Sequence, residues 1–178
     1  PRVLNVMIDA FKNKYGNADS RTHAFGESAR RIVEESRGNI AELLDINKDE
    51  VFFTSGATES DNISILGLQE YAEKFSKKHI ITTAIEHKAV LEPLSVLESK
   101  GFEVTYIKPD INGRINPDEV LSNVRNDTLL VSVMHTNNET GVIQPIDIIG
   151  EALDKTDVFF HVDAAQSFGK LVDELKSV

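Results

Sequence analysis

The 178-residue chain contains no cysteine and no tryptophan. Without cysteine these residues can supply no disulfide framework, no zinc ribbon and no thiol nucleophile. Positive charge is also in short supply. Nineteen Lys and Arg stand against 29 Asp and Glu, a formal net charge of −10, which argues against a phosphate-backbone partner such as DNA. No apolar run approaches the roughly 20 residues of a membrane-spanning helix, and no signal-peptide pattern opens the chain. No low-complexity stretch, internal repeat or Pro/Gly-rich linker divides it, so one domain is expected. The first residue is Pro1 rather than methionine, which implies a translated start elsewhere.

What the sequence does contain is alternation. Short apolar, β-branched runs occur at Val51–Thr54, Ile80–Thr83, Val104–Ile107, Leu129–Val133 and Val158–Val162. Helical patterns lie between them, near 22–44, 58–76, 88–100, 117–125 and 145–155. In the first of these, Ala29, Ile32, Val33, Ile40, Leu43 and Leu44 recur at about 3.6-residue spacing. Runs that are apolar on both faces and separated by helices predict an α/β fold, a mainly parallel sheet covered on each side in three αβα layers. Right-handed crossovers then bring every strand's C-terminal end to one edge, where open α/β sheets bind ligands.

The residues at those ends are therefore the candidates. After Val51–Thr54 comes Ser55-Gly56-Ala57-Thr58-Glu59-Ser60, a small-residue turn entering a helix. Unpaired amides and the helix dipole make such a turn an anion site, with Thr58 adding a hydroxyl. Simple capping is the alternative, since Thr58 to Asp61 fits a capping box. After Ile80–Thr83 comes Glu86-His87-Lys88, where His87 is an acid/base group, a ring that stacks on a flat ligand, or a structural hydrogen-bonder. After Leu129–Val133 comes His135-Thr136-Asn137-Asn138-Glu139-Thr140-Gly141, which is either a ligand-fixing cluster or an Asn/Gly turn. After Val158–Val162 comes Asp163-Ala164-Ala165-Gln166. A carboxylate there must be paired or hydrogen-bonded, and Asp163 and Gln166 could reach one flat ligand together; a helix cap is the alternative.

Taken together these stretches resemble the pyridoxal-phosphate-binding domain of cysteine desulfurases of the iron–sulfur-assembly and nitrogen-fixation type. The resemblance rests on Tyr15-Gly16-Asn17 through Arg21-Thr22-His23-Ala24-Phe25-Gly26, TSGATESDN at 54–62 and HIITTAIEHKAVL at 79–91. It continues with GFEVTYI at 101–107, LVSVMHTNNETGVIQPI at 130–146 and HVDAAQSFGK at 161–170. It implies that residues 1–178 form part of the large domain of a fold-type I pyridoxal-phosphate enzyme. It also implies roles for single residues. Ala57 and Thr58 would hold the cofactor phosphate, and His87 would stack on the pyridine ring and help move protons. Asp163 would pair with the pyridinium nitrogen. Gln166 would donate to the phenolic oxygen, and Asn138 would lie near that oxygen and the substrate carboxylate. No metal site is expected.

In such a family L-cysteine is converted to L-alanine, and the sulfur passes as a persulfide to a scaffold or carrier protein. The resemblance further implies a homodimer, no nucleic-acid or membrane partner, and a cytoplasmic or organelle-matrix location. The family's Schiff-base lysine, in a Ser-x-His-Lys motif, would fall beyond Val178, and neither Lys170 nor Lys176 lies in such a motif. The sulfur-accepting cysteine and the small domain are likewise outside the sequence, so this piece alone is expected to be inactive. The other readings are a related pyridoxal-phosphate lyase or aminotransferase, and a non-catalytic truncated module.

Overall fold

The computed structural model describes residues 1–20 and 22–176; Arg21 of the first motif, and Ser177 and Val178 at the end, lie outside the described residues. The chain gathers into two compact units, Pro1–Phe52 and Phe53–Val178. No shift of composition marks the division, which falls inside an apolar run.

The first unit contains α1 (Arg2–Asn13) and α2 (Ala24–Leu44), followed by a 3-10 turn at Lys48–Glu50. The helical spacing read over 22–44 is realised as α2, whereas α1 was not anticipated. It buries none of its residues, and Val3, Leu4, Val6, Met7 and Phe11 are all exposed. The Tyr15-to-Gly26 motif packs the intervening loop against the start of α2. A Cβ on Gly16 would collide with the Phe25 carbonyl, and one on Gly26 would meet the Ser20 carbonyl at 2.6 Å. Two glycines are thus required where two backbones touch. Arg30 holds the loop by donating to the carbonyls of Ala18 and Ser20 (3.0 and 3.4 Å).

The second unit is the α/β layer structure that the alternation predicts. Its elements are α3 (Ala57–Leu66), α4 (Gln69–Phe75), β1 (His79–Thr83), α5 (Lys88–Ser99), β2 (Glu103–Ile107), α6 (Pro117–Ser122), β3 (Thr128–Ser132), α7 (Ile146–Leu153), β4 (Phe159–His161) and α8 (Val172–Leu175). The four strands form one sheet in the order β2-β1-β3-β4, and every pair is parallel. Both central strands, β1 and β3, are buried along their whole length, which is why they read as continuous apolar runs. Ile80 and Leu130, paired in register, join one apolar cluster with Ile65 of α3 and Val90, Leu94 and Leu97 of α5. Ile81 and Val131 join the other, with Val120 of α6 and Ile146, Ile149 and Leu153 of α7. Each fully buried aliphatic side chain is worth about 1.5–3 kcal/mol, and the two clusters weld helices to both faces. His79 stitches the sheet from within, its ring nitrogens bonding Thr128 (2.8 Å) and Thr105 (2.9 Å) on the neighbouring strands.

Two expectations need correction. The helical pattern near 58–76 is broken into α3 and α4 at Gly67 and Leu68. The run Val51–Thr54 forms no strand: none of the four strands pairs with it, and Phe52 and Phe53 are exposed. Apolar, β-branched composition favours an extended chain, but a strand exists only where a neighbour completes its hydrogen-bond ladder. Among the described residues no helix is long and apolar enough to cross a membrane.

Candidate functional site

β1 is followed in sequence by β2 on one side, and then by β3 on the other, so the strand order reverses between β1 and β3. Such a reversal splays the crossovers apart and leaves a crevice at the C-terminal edge. A cavity opens at this edge, lined by Ala57, Thr58, His87, Met134, Thr136, Asn138, Asp163, Ala165 and Gln166. All six site residues expected from the sequence, Ala57, Thr58, His87, Asn138, Asp163 and Gln166, line this one cavity. Thr136 and Ala165 join them from the candidate stretches after β3 and β4, and Met134 joins without a signal of its own in the sequence.

In the turn that follows residues 51–54, the expected capping box of Thr58 and Asp61 does not form. The N-cap of α3 is Gly56, with no side-chain cap, and Thr58 lies inside the helix. The turn before it is satisfied locally: Glu59 Oε2 accepts from the Ser55 amide (2.6 Å) and Thr54 Oγ1 from the Gly56 amide (3.4 Å). The Ser55 hydrogen bonds hold the Glu59 carboxyl below its ordinary value. The amides of Ala57, Thr58 and Glu59 have no acceptor among the described residues. A Cβ at Gly56 would meet nothing within 4 Å. Three unpaired N–H groups at a helix's positive end constitute an anion cradle.

His87 serves two purposes. It is the N-cap of α5, with Nδ1 accepting from the Ala89 amide (3.1 Å). An accepting Nδ1 places the hydrogen of the neutral ring on Nε2, an assignment that follows from the hydrogen bond. At the third strand end the two asparagines divide the work. Asn137 builds the turn: its Oδ1 accepts from the Glu139 amide and from the amide and hydroxyl of Thr140, and its Nδ2 donates to the Ile85 carbonyl (3.0 Å). Asn138 is exposed at the cavity, donating to Glu139 (2.8 Å). The turn reading and the ligand reading thus hold for adjacent residues. His135 does not reach the cavity; it is buried, with Nδ1 bonded to Ser167 (2.8 Å) and Nε2 to Glu174 (2.9 Å).

Asp163 is buried, and its Oδ1 accepts from the Ala165 amide (2.9 Å), an Asx turn rather than a helix cap, since α8 begins only at Val172. Its other oxygen has no hydrogen-bond partner among the described residues. The turn brings Gln166 to the same cavity with its side-chain amide unengaged.

The model of the family described as aminotransferase class-V matches residues 1–177. The chain belongs to the aminotransferase class-V family. Across its whole length it is 50% identical to a protein named cysteine desulfurase IscS from Stutzerimonas stutzeri (strain A1501), and 46% identical to one of the same name from Anaeromyxobacter sp. (strain K), covering 44% of each. Among solved structures it is similar to DndA from Streptomyces lividans, with 49% identity and a TM-score of 0.93 over 99% of this chain and 49% of that one. The chain therefore spans about half the length of the curated relatives it matches, and these carry the name of the family that the motifs resemble.

Proposed function

We propose that this class-V chain is the cofactor-holding part of a pyridoxal-phosphate-dependent cysteine desulfurase, its residues forming part of that enzyme's large domain. The observation that carries the proposal is the convergence of free helix amides, His87, Asp163 and Gln166 on one cavity at the β1/β3 reversal. This donor set fits the cofactor. Three amides without acceptors suit a phosphate, a buried carboxylate suits a ring nitrogen, and an unengaged Gln166 amide suits a phenolic oxygen.

Pyridoxal phosphate, when bound, supplies an electron sink for bonds at the substrate's α-carbon. The chain's own residues bind and orient. Ala57, Thr58 and Glu59 donate N–H groups at the positive end of α3, and the Thr58 hydroxyl adds a donor. Asp163, locked at Oδ1 by the Ala165 amide, presents its other oxygen and its charge to the ring nitrogen, favouring the protonated ring. His87 presents a flat ring whose Nε2–H is available for proton exchange while Nδ1 holds α5. Asn138 and Gln166 donate to oxygens of the cofactor and substrate. L-cysteine is the proposed substrate, and a solved relative is titled SspA in complex with cysteine. A homodimer, a scaffold or carrier protein that receives sulfur, and a cytoplasmic or organelle-matrix setting belong to the same proposal.

The test is to incubate the full-length protein with pyridoxal phosphate and L-cysteine. Stoichiometric cofactor retention together with alanine and sulfide formation is expected. Failure to retain the cofactor overturns the reading. Turnover of a different amino acid with none of cysteine reassigns the chain to a related lyase or aminotransferase.

A further inference from the structure

Three carboxyl side chains of this unit are buried: Asp61 on α3 at 4% exposure, Glu86 in the turn after β1 at 6%, and Asp163, which lines the cavity after β4, at 8%. An unpaired charge in such a place is costly, so each needs a partner or a proton. Asp61 has the His161 ring, with Nε2 3.4 Å from Oδ1. Asp163 opens to the cavity, where a ring nitrogen can meet it. Glu86 has neither: among the described residues no Lys, Arg or His pairs with it, and it does not line the cavity.

Its hydrogen bonding is lopsided. Oε1 accepts from the Thr83 hydroxyl (2.6 Å) and from the Met134 amide (2.9 Å), tying the end of β1 to the end of β3 across the strand-order reversal. Oε2 is enclosed and has no partner. An ionised carboxylate would leave that oxygen bare, whereas a carboxylic acid puts its hydrogen there. Asp61 Oδ2 is also enclosed and without a partner. The charge of Asp61 is felt at Glu86 and further disfavours a second ionised carboxylate there.

We propose that Glu86 is a neutral carboxylic acid beneath the site, a positioning residue that pins the His87 turn to β3 and leaves Asp163 as the carboxyl group that faces the cavity. The inference rests on the proposed function for what occupies the cavity, but the protonation state of Glu86 does not. Burial pushes the Glu86 carboxyl up to about 7; the Thr83 and Met134 hydrogen bonds oppose this, and the charges of Asp163 and Asp61 add to it. The titratable groups that act on it are Asp163 and Asp61; His161 pairs with Asp61, and His87 is its neighbour in sequence. As pH rises and Glu86 ionises, a second negative charge arises beside Asp163 and strengthens its hold on a protonated ring.

Two measurements on the full-length protein test this. In the first, infrared difference spectra of the cofactor-free protein between about pH 5 and about pH 9 should show the carbonyl band of a neutral carboxyl, lost in Glu86→Gln. In the second, absorbance of bound pyridoxal phosphate is titrated with pH. The wild type should show a step near neutrality that Glu86→Gln lacks. Glu86→Gln keeps an acceptor for Thr83 and Met134 and should bind the cofactor within about threefold of the wild type, and Glu86→Ala about tenfold or more weakly, the loss expected of a broken buried hydrogen-bond pair. A carboxyl band that persists in Glu86→Gln, or a step that the variant retains, overturns the proposal. So does cofactor binding by Glu86→Gln as weak as by Glu86→Ala. If the wild type binds no cofactor, the proposed function fails, and the infrared band alone decides the state of Glu86.

Discussion

Replacing Glu86 by glutamine separates the charge of this side chain from its shape, and the consequence for stability can be worked out. Burial raises the folded-state carboxyl from 4.5 to about 7. Between those two values the folded chain holds a proton that the unfolded chain has released. Stability therefore falls as pH rises through this window. The loss is absent below the unfolded value and complete above the folded one. A displacement of that size, at about 1.36 kcal/mol per pH unit, amounts to about 3 kcal/mol. Glutamine keeps the carbonyl oxygen that accepts from Thr83 and Met134, carries no charge, and introduces one extra buried N–H donor at a cost of about 1 kcal/mol. The variant should thus be up to about 1 kcal/mol less stable than the wild type near pH 4, about equal to it near pH 5, and about 2 kcal/mol more stable near pH 8. Urea unfolding followed by circular dichroism at several pH values measures the difference directly, and titrations common to both proteins cancel in it. A difference that stays flat from acid to alkaline pH would refute the reasoning.

Three further outcomes follow from single contacts. Asp163→Asn keeps the oxygen that accepts from Ala165 but removes the charge offered to a ring nitrogen. Pyridoxal phosphate should bind about 10- to 100-fold more weakly by equilibrium dialysis, the equivalent of a charge-assisted hydrogen bond of about 1.5–3 kcal/mol. Gly16→Ala drives a methyl group into the Phe25 carbonyl and should cost the first unit about 1–3 kcal/mol in chemical denaturation; unchanged stability would mean that the two backbones do not touch. Leu94→Ala empties a fully buried position between α5 and the sheet and should cost about 2–5 kcal/mol. A loss under about 1 kcal/mol would show that the cluster collapses around the gap.

Much of the second unit and of its cavity was legible beforehand because the signals are local. Strands buried on both faces are rich in apolar residues, as β1 and β3 are, and the more exposed edge strands β2 and β4 coincide with apolar runs as well. In a parallel sheet the residues after each strand share an edge, which is why His87, Asn138, Asp163 and Gln166 stand together there. The failures were of a different kind. Val51–Thr54 has strand composition but no neighbouring ladder. The Thr58–Asp61 spacing fits a capping box, yet Asp61 is turned inward toward His161 and the helix begins at Ala57, with Gly56 as its N-cap. α1 went unread although its composition is helical, and nothing it packs against announced it.

The sequence by itself determined where the four strands of the second unit and most of its helices lie, that the sheet is parallel, and which residue types stand at its C-terminal edge, because periodicity and turn chemistry depend on neighbours a few residues away. The tertiary structure alone decided which residues do what there. It assigned the turn to Asn137 and the cavity to Asn138, sent His135 into the interior, and set Glu86 across the β1/β3 reversal against an amide 48 residues distant. Those choices depend on strand order and on which groups are cut off from water, properties of the packed chain that no local pattern encodes.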